Sequence, residues 1–310
     1  DLKAAGVGIV YISHRMDEIF EISDRISVLR DGQYRGTVDT AATDEDTVTR
    51  MMIGRSLEKV HYSERDAEGD IVLETRGLTV AGLFEEIDLE VRKHEIMGMY
   101  GLVGAGRSEL AETLFGLRAP TSGEILLNGR PLLLASPIDA IAAGIALVPE
   151  DRKGQGLVLG MSCRDNITLA LLEEVAKGGW LDTAKETAVY DKYQKSLAIK
   201  SPSFAQTVLN LSGGNQQKIV IGKWLATRPR LLILDEPTRG IDVGSKAEIH
   251  NLIRDLAVES HAVIVISSEM PEVMGVSDRI TAMYNGRATA TFDARTVTED
   301  NLIEAITGGH

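Results

Sequence analysis

The sequence predicts an α/β chain: a mostly parallel sheet with flanking helices, a small antiparallel β subdomain and a helical subdomain. Three observations predict this. Short apolar runs at 96–100, 144–148, 231–234, 263–266 and 279–283 alternate with helical stretches, the pattern of strands buried on both faces of a parallel sheet. Segments 71–74, 87–91 and 124–127 alternate apolar with polar residues, and the last runs into the turn pair Asn128-Gly129, as antiparallel strands do. Between 154 and 211 the strand pattern gives way to helix: Asp182 is suited to cap one, and Val189, Tyr193 and Leu197 recur every four residues on one face. That stripe reads as a packing face.

With 310 residues, 44% of them apolar, the chain can bury a core, and disorder is excluded. Its 33 basic and 46 acidic residues leave a net charge of −13, which argues against a protein that grips polyanionic nucleic acid or anionic lipid directly. Cys163 is the sole cysteine, so no internal disulfide can form and a reducing compartment is expected. The longest apolar stretches, such as 140–148 and 262–266, fall far short of the roughly 18 to 20 residues that span a bilayer. Asp1-Leu2 opens the chain with neither methionine nor leader, and the beginning reads as a cut through a larger protein.

An internal repeat agrees. Sliding the chain by 254 residues lays 1–54 on 255–308 without a gap. Ile12-Ser13-His14-Arg15-Met16-Asp17-Glu18 falls beside Ile266-Ser267-Ser268-Glu269-Met270-Pro271-Glu272, and Ser23-Asp24-Arg25-Ile26 beside Ser277-Asp278-Arg279-Ile280. The expected organisation is the C-terminal tail of a first unit over 1–54, a short polar linker over 55–70, and a complete second unit over 71–310 with its helical subdomain at about 154–211.

The chemistry sits at element boundaries. The strand at 96–100 is followed by Gly101-Leu102-Val103-Gly104-Ala105-Gly106-Arg107-Ser108 and an amphipathic helix with Leu110, Ala111, Leu114 and Phe115 inward. Strand, glycine turn and helix make the phosphate-loop context, in which backbone N–H groups converge on phosphate and a Ser108 hydroxyl ligates Mg²⁺. Arg107 stands where a lysine is usual; it keeps the charge, but its planar fork cannot take the place of a compact ammonium. Alone, such a loop could equally be a turn that packs a helix on a strand. The strand at 231–234, however, ends in Asp235-Glu236, one carboxylate placed for the Mg²⁺ shell and the next to polarise a water. Upstream, Leu211-Ser212-Gly213-Gly214-Asn215-Gln216-Gln217-Lys218 leads into an apolar helix that stops before Pro229, with Ser212 at its N-cap and a second anion-receptive helix start.

Together these motifs resemble the nucleotide-binding domain of ATP-binding cassette (ABC) proteins, over the whole chain. Gly-Leu-Val-Gly-Ala-Gly-Arg-Ser-Glu, Val-Pro-Glu-Asp-Arg-Lys, Leu-Ser-Gly-Gly-Asn-Gln-Gln-Lys and Asp-Glu-Pro-Thr-Arg-Gly-Ile-Asp-Val-Gly are similar to the second cassette of the duplicated ATPases that drive bacterial monosaccharide importers of the ribose, galactose and xylose type. The resemblance implies a P-loop NTPase-type fold and an ATP hydrolase using ATP and Mg²⁺. It implies that Gly101, Gly104, Gly106, Arg107 and Ser108 bind nucleotide, that Ser108 and Asp235 hold the metal, and that Glu236 is catalytic. Ser212, Gly213 and Gly214 match the signature motif, which in the family contacts the γ-phosphate of ATP on the opposite cassette. Asp242 matches the loop that crosses between cassettes, and His14 the switch histidine of a first cassette. The implied partners are transmembrane permease subunits, the missing first cassette and, indirectly, a periplasmic sugar-binding protein, at the cytoplasmic face of the bacterial inner membrane. Nucleic acid is not among them.

Three departures fall on one site: Arg107 for lysine, Ser268 where the repeat predicts a histidine opposite His14, and Glu150 where the family's cassettes usually carry glutamine. An acidic Glu150 would repel phosphate, and Ser268 offers no imidazole. This chain alone is therefore expected to bind Mg-ATP weakly and to turn it over negligibly, while its signature serves an intact site across the interface. Phe84 is a weak candidate for adenine stacking. The competing readings are a soluble tandem-cassette ATPase acting on ribosomes or DNA, and a non-catalytic nucleotide-sensing module. Against the first, 55–70 is short and mixed in charge rather than a long basic helix, and 154–211 has no room for a long coiled coil. His61, His94, His250, His261 and His310 are expected at the surface, and Trp180, Trp224 and Cys163 in packing roles.

Overall fold

The apolar runs become the interior of one sheet because, Arg279 and Thr281 aside, they offer water almost no polar face. The computed structural model describes all residues except 1, 4, 14, 15, 31, 32, 54–68, 260, 309 and 310, so the linker expected over 55–70 lies almost wholly outside the described residues. Two compact units are found, one of 1–61 with 241–248 and one of 62–240 with 249–310.

The first unit contains α1 (Met16–Ile22), the antiparallel strands β1 (Arg25–Arg30) and β2 (Gln33–Asp39), and α2 (Glu45–Ile53). Ile26, Val28 and Val48 form its small core. The rest of the chain adds, in order, β3 (Ile71–Val80), β4 (Phe84–Arg92), β5 (Ile96–Gly101), α3 (Arg107–Leu114), β6 (Ser122–Leu127), β7 (Arg130–Pro131), α4 (Pro137–Ala143), β8 (Ile145–Val148), α5 (Cys163–Thr168), α6 (Leu172–Val175), β9 (Ala176–Lys177), β10 (Trp180–Leu181), α7 (Thr183–Ser196), α8 (Gly213–Ala226), β11 (Leu231–Asp235), α9 (Val243–Val258), β12 (Ala262–Ile266), α10 (Met270–Val276), β13 (Arg279–Tyr284), β14 (Arg287–Asp293) and α11 (Glu299–Thr307).

The main sheet has the order β14-β13-β5-β12-β11-β8, and every neighbouring pair is parallel except β13 with β14. All residues of β5, β8, β11 and β12 are buried, as the expected parallel runs require. β14 is an edge strand that apolar runs do not reveal, because its small and polar side chains alternate between exposed and half-buried. The antiparallel sheet runs β4-β3-β6-β7. Asn128 and Gly129 turn β6 into β7, both at positive φ (50° and 71°), as a two-residue type I′ turn needs. Leu73, Leu78, Ile87 and Val91 of the small sheet share one core with Met97 and Met99 of β5 and with Leu110 and Leu114 of α3.

In the helical stretch, the Asp182 carboxylate caps α7 by accepting from the N–H groups of Ala184 and Lys185 at 3.1 and 3.2 Å. The buried face of α7 carries Glu186, Tyr190 and Tyr193 and continues to Leu197, with Val189 half-buried beside it. The Tyr193 hydroxyl donates to the Leu225 carbonyl on α8 at 2.9 Å, so the stripe does pack. The β9–β10 hairpin breaks the helical pattern and leaves Trp180 80% exposed, which corrects its expected packing role. Trp224 meets Phe115 edge-on at 5.3 Å and Cys163 is buried, as expected. His94, His250 and His261 are half-buried rather than at the surface; His94 Nδ1 lies 3.1 Å from the Ala257 carbonyl. His61 and His310 fall outside the described residues. Among the described residues no helix is long and apolar enough to cross a membrane.

The first unit's elements recur 254 residues later with the same bounds: α1 as α10, β1 as β13, β2 as β14 and α2 as α11. The irregularity recurs too, since pairing slips between Val28 and Leu29 and again between Ala282 and Met283. One segment differs. Residues 8–12 correspond to β12 but form no strand, and Val10 and Ile12 are 90% and 92% exposed. An apolar strand of a parallel sheet is stable only when neighbours cover it.

Candidate functional site

β5 ends at Gly101, where a Cβ would stand 2.4 Å from the Met283 carbonyl oxygen of the adjacent β13, so only glycine lets the strand turn there. The turn is closed by the Ala105 N–H, which donates to the Leu102 carbonyl at 3.0 Å. Gly106, at φ 94°, precedes α3 and offers no side-chain cap. The first-turn N–H groups of α3 therefore have no partner within the helix and face the loop with the positive end of the helix dipole, an anion cradle built from backbone alone.

Arg107 opens α3, but its guanidinium turns inward. Nη1 donates to the Ser267 carbonyl at 2.6 Å and lies 4.0 Å from Glu236 Oε1. Burial lowers its pKa, with Glu236 and Asp235 pulling the other way. Asp235 is the last residue of β11. Burial pushes its carboxyl up to about 6, against a hydrogen bond from Ser108 and with added repulsion from Glu236. Its Oδ1 is buried with no hydrogen-bond partner. Glu236 follows at φ 46°, left-handed and strained for a non-glycine, its N–H donating to the Ile266 carbonyl at 2.8 Å. Burial raises its pKa too, while hydrogen bonding with Ser268 and the nearby Arg107 oppose the rise.

The structure thus gathers the loop 101–108, Asp235, Glu236 and Ser268. An orphaned carboxylate oxygen beside a serine hydroxyl is a hard oxygen donor set of the kind Mg²⁺ takes, and the cradle beside it suits phosphate; the residues present fit both groups. Arg107 fits less well, since it is engaged by Ser267. Sequence reasoning missed Ser267, whose neighbour Ser268 drew attention only as a substitution for histidine. Glu150 is not a bare negative charge: it forms an ion pair with Arg239 on the turn after Glu236, which corrects the expectation of simple repulsion. Phe84 is 1% exposed in the core and cannot stack on a base as it stands.

The signature residues occupy a second place. Ser212 caps α8 without bonding its backbone; its Oγ accepts from Asn215 Nδ2 at 2.9 Å. A Cβ on Gly213 would stand 3.3 Å from both Arg152 Nη2 and the Gly240 carbonyl oxygen, and Gly214 is buried in the first turn. α8 is tied to the loop after β8 by Lys223, whose Nζ donates to the Gly156 carbonyl at 2.7 Å; burial lowers Lys223 to about 8. Asp242, in the first unit, accepts from the Ser245 N–H at 3.0 Å at the start of α9. His14 lies outside the described residues.

Comparison with known proteins gives this geometry a family. The family model described as ABC transporter matches residues 84–239. The chain is similar to the ribose import ATP-binding protein RbsA of Halalkalibacterium halodurans, 46% identical over 309 residues, covering 100% of this chain and 62% of that protein. It is also similar to the protein of the same name from Geobacillus kaustophilus, 47% identical over 309 residues, covering 100% of this chain and 63% of that one. The chain therefore spans less than two thirds of the length of the curated relatives it matches. In fold it is similar to cbiO1 of Clostridium perfringens, part of the ABC transporter complex cbiONQ, with a TM-score of 0.64 at 23% identity over 77% of this chain and 95% of that one. A mixed sheet with an antiparallel β subdomain, a glycine loop running into α3, and a sequence matched by the family model over 84–239 place the chain in the ABC transporter family.

Proposed function

We propose that the chain is the greater part of the ATP-binding subunit of a monosaccharide importer: residues 1–54 the end of a first cassette, 55–70 the joint, and 71–310 a second cassette with its helical subdomain at about 154–211. The observation that carries the reading is the meeting of the 101–108 loop with the Asp235–Glu236 strand end, in a chain similar to ribose import proteins over its full length. Ser108 and Asp235 would hold Mg²⁺, and Gly101, Gly104, Gly106 and Arg107 would hold the phosphates of ATP. When bound, the metal neutralises charge on the phosphate oxygens. Glu236 accepts a proton from water at its carboxylate, and the first turn of α3 orients the phosphates. Arg107, drawn to Ser267, and Ser268, without imidazole, make this site a poor catalyst. Ser212, Gly213, Gly214 and Asp242 serve the site of the opposite cassette, where His14 belongs. The partners are transmembrane permease subunits at the cytoplasmic face of the inner membrane, and through them a periplasmic sugar-binding protein.

A pull-down from detergent extract with the intact two-cassette subunit as bait tests this. Recovery of a permease supports the reading, and recovery of ribosomes or DNA in its place overturns it.

A further inference from the structure

We propose that Glu272 is a positioning residue of the phosphate-loop site, the shared acceptor that holds the Ser267–Ser268 segment, the turn after Glu236 and α9 in one arrangement. The inference rests on reading that site as one for Mg-ATP.

Glu272 sits in the first turn of α10, its side chain only 4% exposed. Three donors reach it from three parts of the chain. The Thr238 hydroxyl donates to Oε1 at 2.8 Å, His250 Nε2 on α9 lies 2.8 Å from the same oxygen, and the Ser267 hydroxyl donates to Oε2 at 2.6 Å. Ser267 Oγ in turn accepts from the Glu269 N–H at 3.0 Å, which closes the network on the helix that carries Glu272. Burial pushes the Glu272 carboxyl up, but the bonds from His250, Ser267 and Thr238 outweigh it and leave it below the ordinary carboxylate range.

Two of the three donors lead to the site. Ser267 presents the carbonyl that anchors Arg107, Ser268 hydrogen-bonds Glu236, and Thr238 lies two residues beyond Glu236. A shift of one carboxylate would therefore move both the loop's cation and the carboxylate proposed to act on water. An acid in the first turn of a helix is favourable by itself, but that role accounts for neither Thr238 nor His250. The central pair also recurs: in the first unit the Ser13 hydroxyl donates to Glu18 Oε2 at 3.3 Å, 254 residues earlier.

Two substitutions in this chain test the proposal. Glu272→Leu fills the volume but accepts nothing, whereas Glu272→Gln keeps the shape and an acceptor oxygen. In hydrogen exchange without nucleotide, Glu272→Leu is expected to speed exchange about tenfold in both 236–239 and 266–269, with Glu272→Gln close to wild type. Acceleration confined to 270–276 overturns the proposal. Binding of fluorescent ATP and ADP analogues with Mg²⁺ is then measured, with Ser108→Ala as the control for the loop. Glu272→Leu should shift ATP affinity about tenfold and ADP affinity much less, because a loop cation released from Ser267 acts on the outer phosphates. Equal shifts for ATP and ADP, or no return to wild-type affinity in Glu272→Gln, overturn it. If Ser108→Ala binds like wild type, the reading of the site fails and the exchange result decides the role of Glu272. Should Glu272→Leu not fold, Ser267→Ala and His250→Leu each remove one donor, and are expected to loosen the same two segments.

Discussion

Arg107 donates to the main-chain carbonyl of Ser267 at 2.6 Å, so the cation of the phosphate loop is fastened to the segment between β12 and α10. Arg107→Ala frees that carbonyl and leaves Asp235 and Glu236 without their nearest positive charge. Urea unfolding should show a loss of about 1–3 kcal/mol. A variant as stable as the wild type would mean that the guanidinium does not brace the site.

The two halves of the cassette should respond unequally. In a full two-cassette subunit, Ser212→Arg is expected to abolish transport-coupled ATP hydrolysis, whereas Ser108→Ala should cost much less. The first blocks the helix start that would serve the opposite cassette; the second alters a site already weakened at Arg107 and Ser268. Comparable losses in steady-state ATPase would refute the asymmetry.

Asp235 sets a pH dependence. Its pKa is about 6 in the folded chain against 3.8 for the ordinary group, so between those values the folded state holds a proton that the unfolded state releases. Its contribution to stability is present in full below about 3.8 and is lost as pH rises to about 6. Asp235→Asn removes this loss and is expected to be more stable than wild type at pH 7.5 by about 1–3 kcal/mol, with a smaller advantage at pH 5. It should also lose the stabilisation that Mg-ATP gives the wild type at pH 7.5. Urea melts at both pH values check the sign, and an advantage that grows at pH 5 contradicts it.

Glu150 and Arg239 form an exposed ion pair, and such pairs contribute little to stability. Glu150→Gln should leave the melting temperature nearly unchanged while tightening ATP binding, and Arg239→Gln should weaken it by baring the acid. Fluorescence titration of the two variants reads the effect. Affinities that move in the same direction would show that the pair does not act on phosphate.

The parallel strands were legible because a strand buried on both faces must be apolar throughout, and 96–100 and 231–234 differ from the observed β5 and β11 by one residue each. β14 was not, since an edge strand carries no such run. Within the site, Gly101–Ser108 and Asp235–Glu236 declared themselves through local spacing. Arg239 and Glu272 did not: their partners Glu150, Thr238, Ser267 and His250 come from separate segments, and an acid inside an amphipathic helix looks like any solvated one. Trp180 was misread because apolar character predicts burial only when a neighbour covers it, and β9–β10 is an exposed two-stranded hairpin.

β5 carries the glycine loop, yet both strands that flank it are made far later: Ile96 pairs with Val263, and Met97 with Arg279. On a ribosome adding roughly 5–20 residues per second, the loop waits on the order of ten seconds for the chain that shapes it. Throughout that interval β5 is an unpaired apolar strand, so a nascent chain halted before β12 would display the phosphate-loop motif without a site and would need chaperone cover. Such long-range parallel pairing is slow to form, and the nucleotide site should be among the last features to appear as the protein folds.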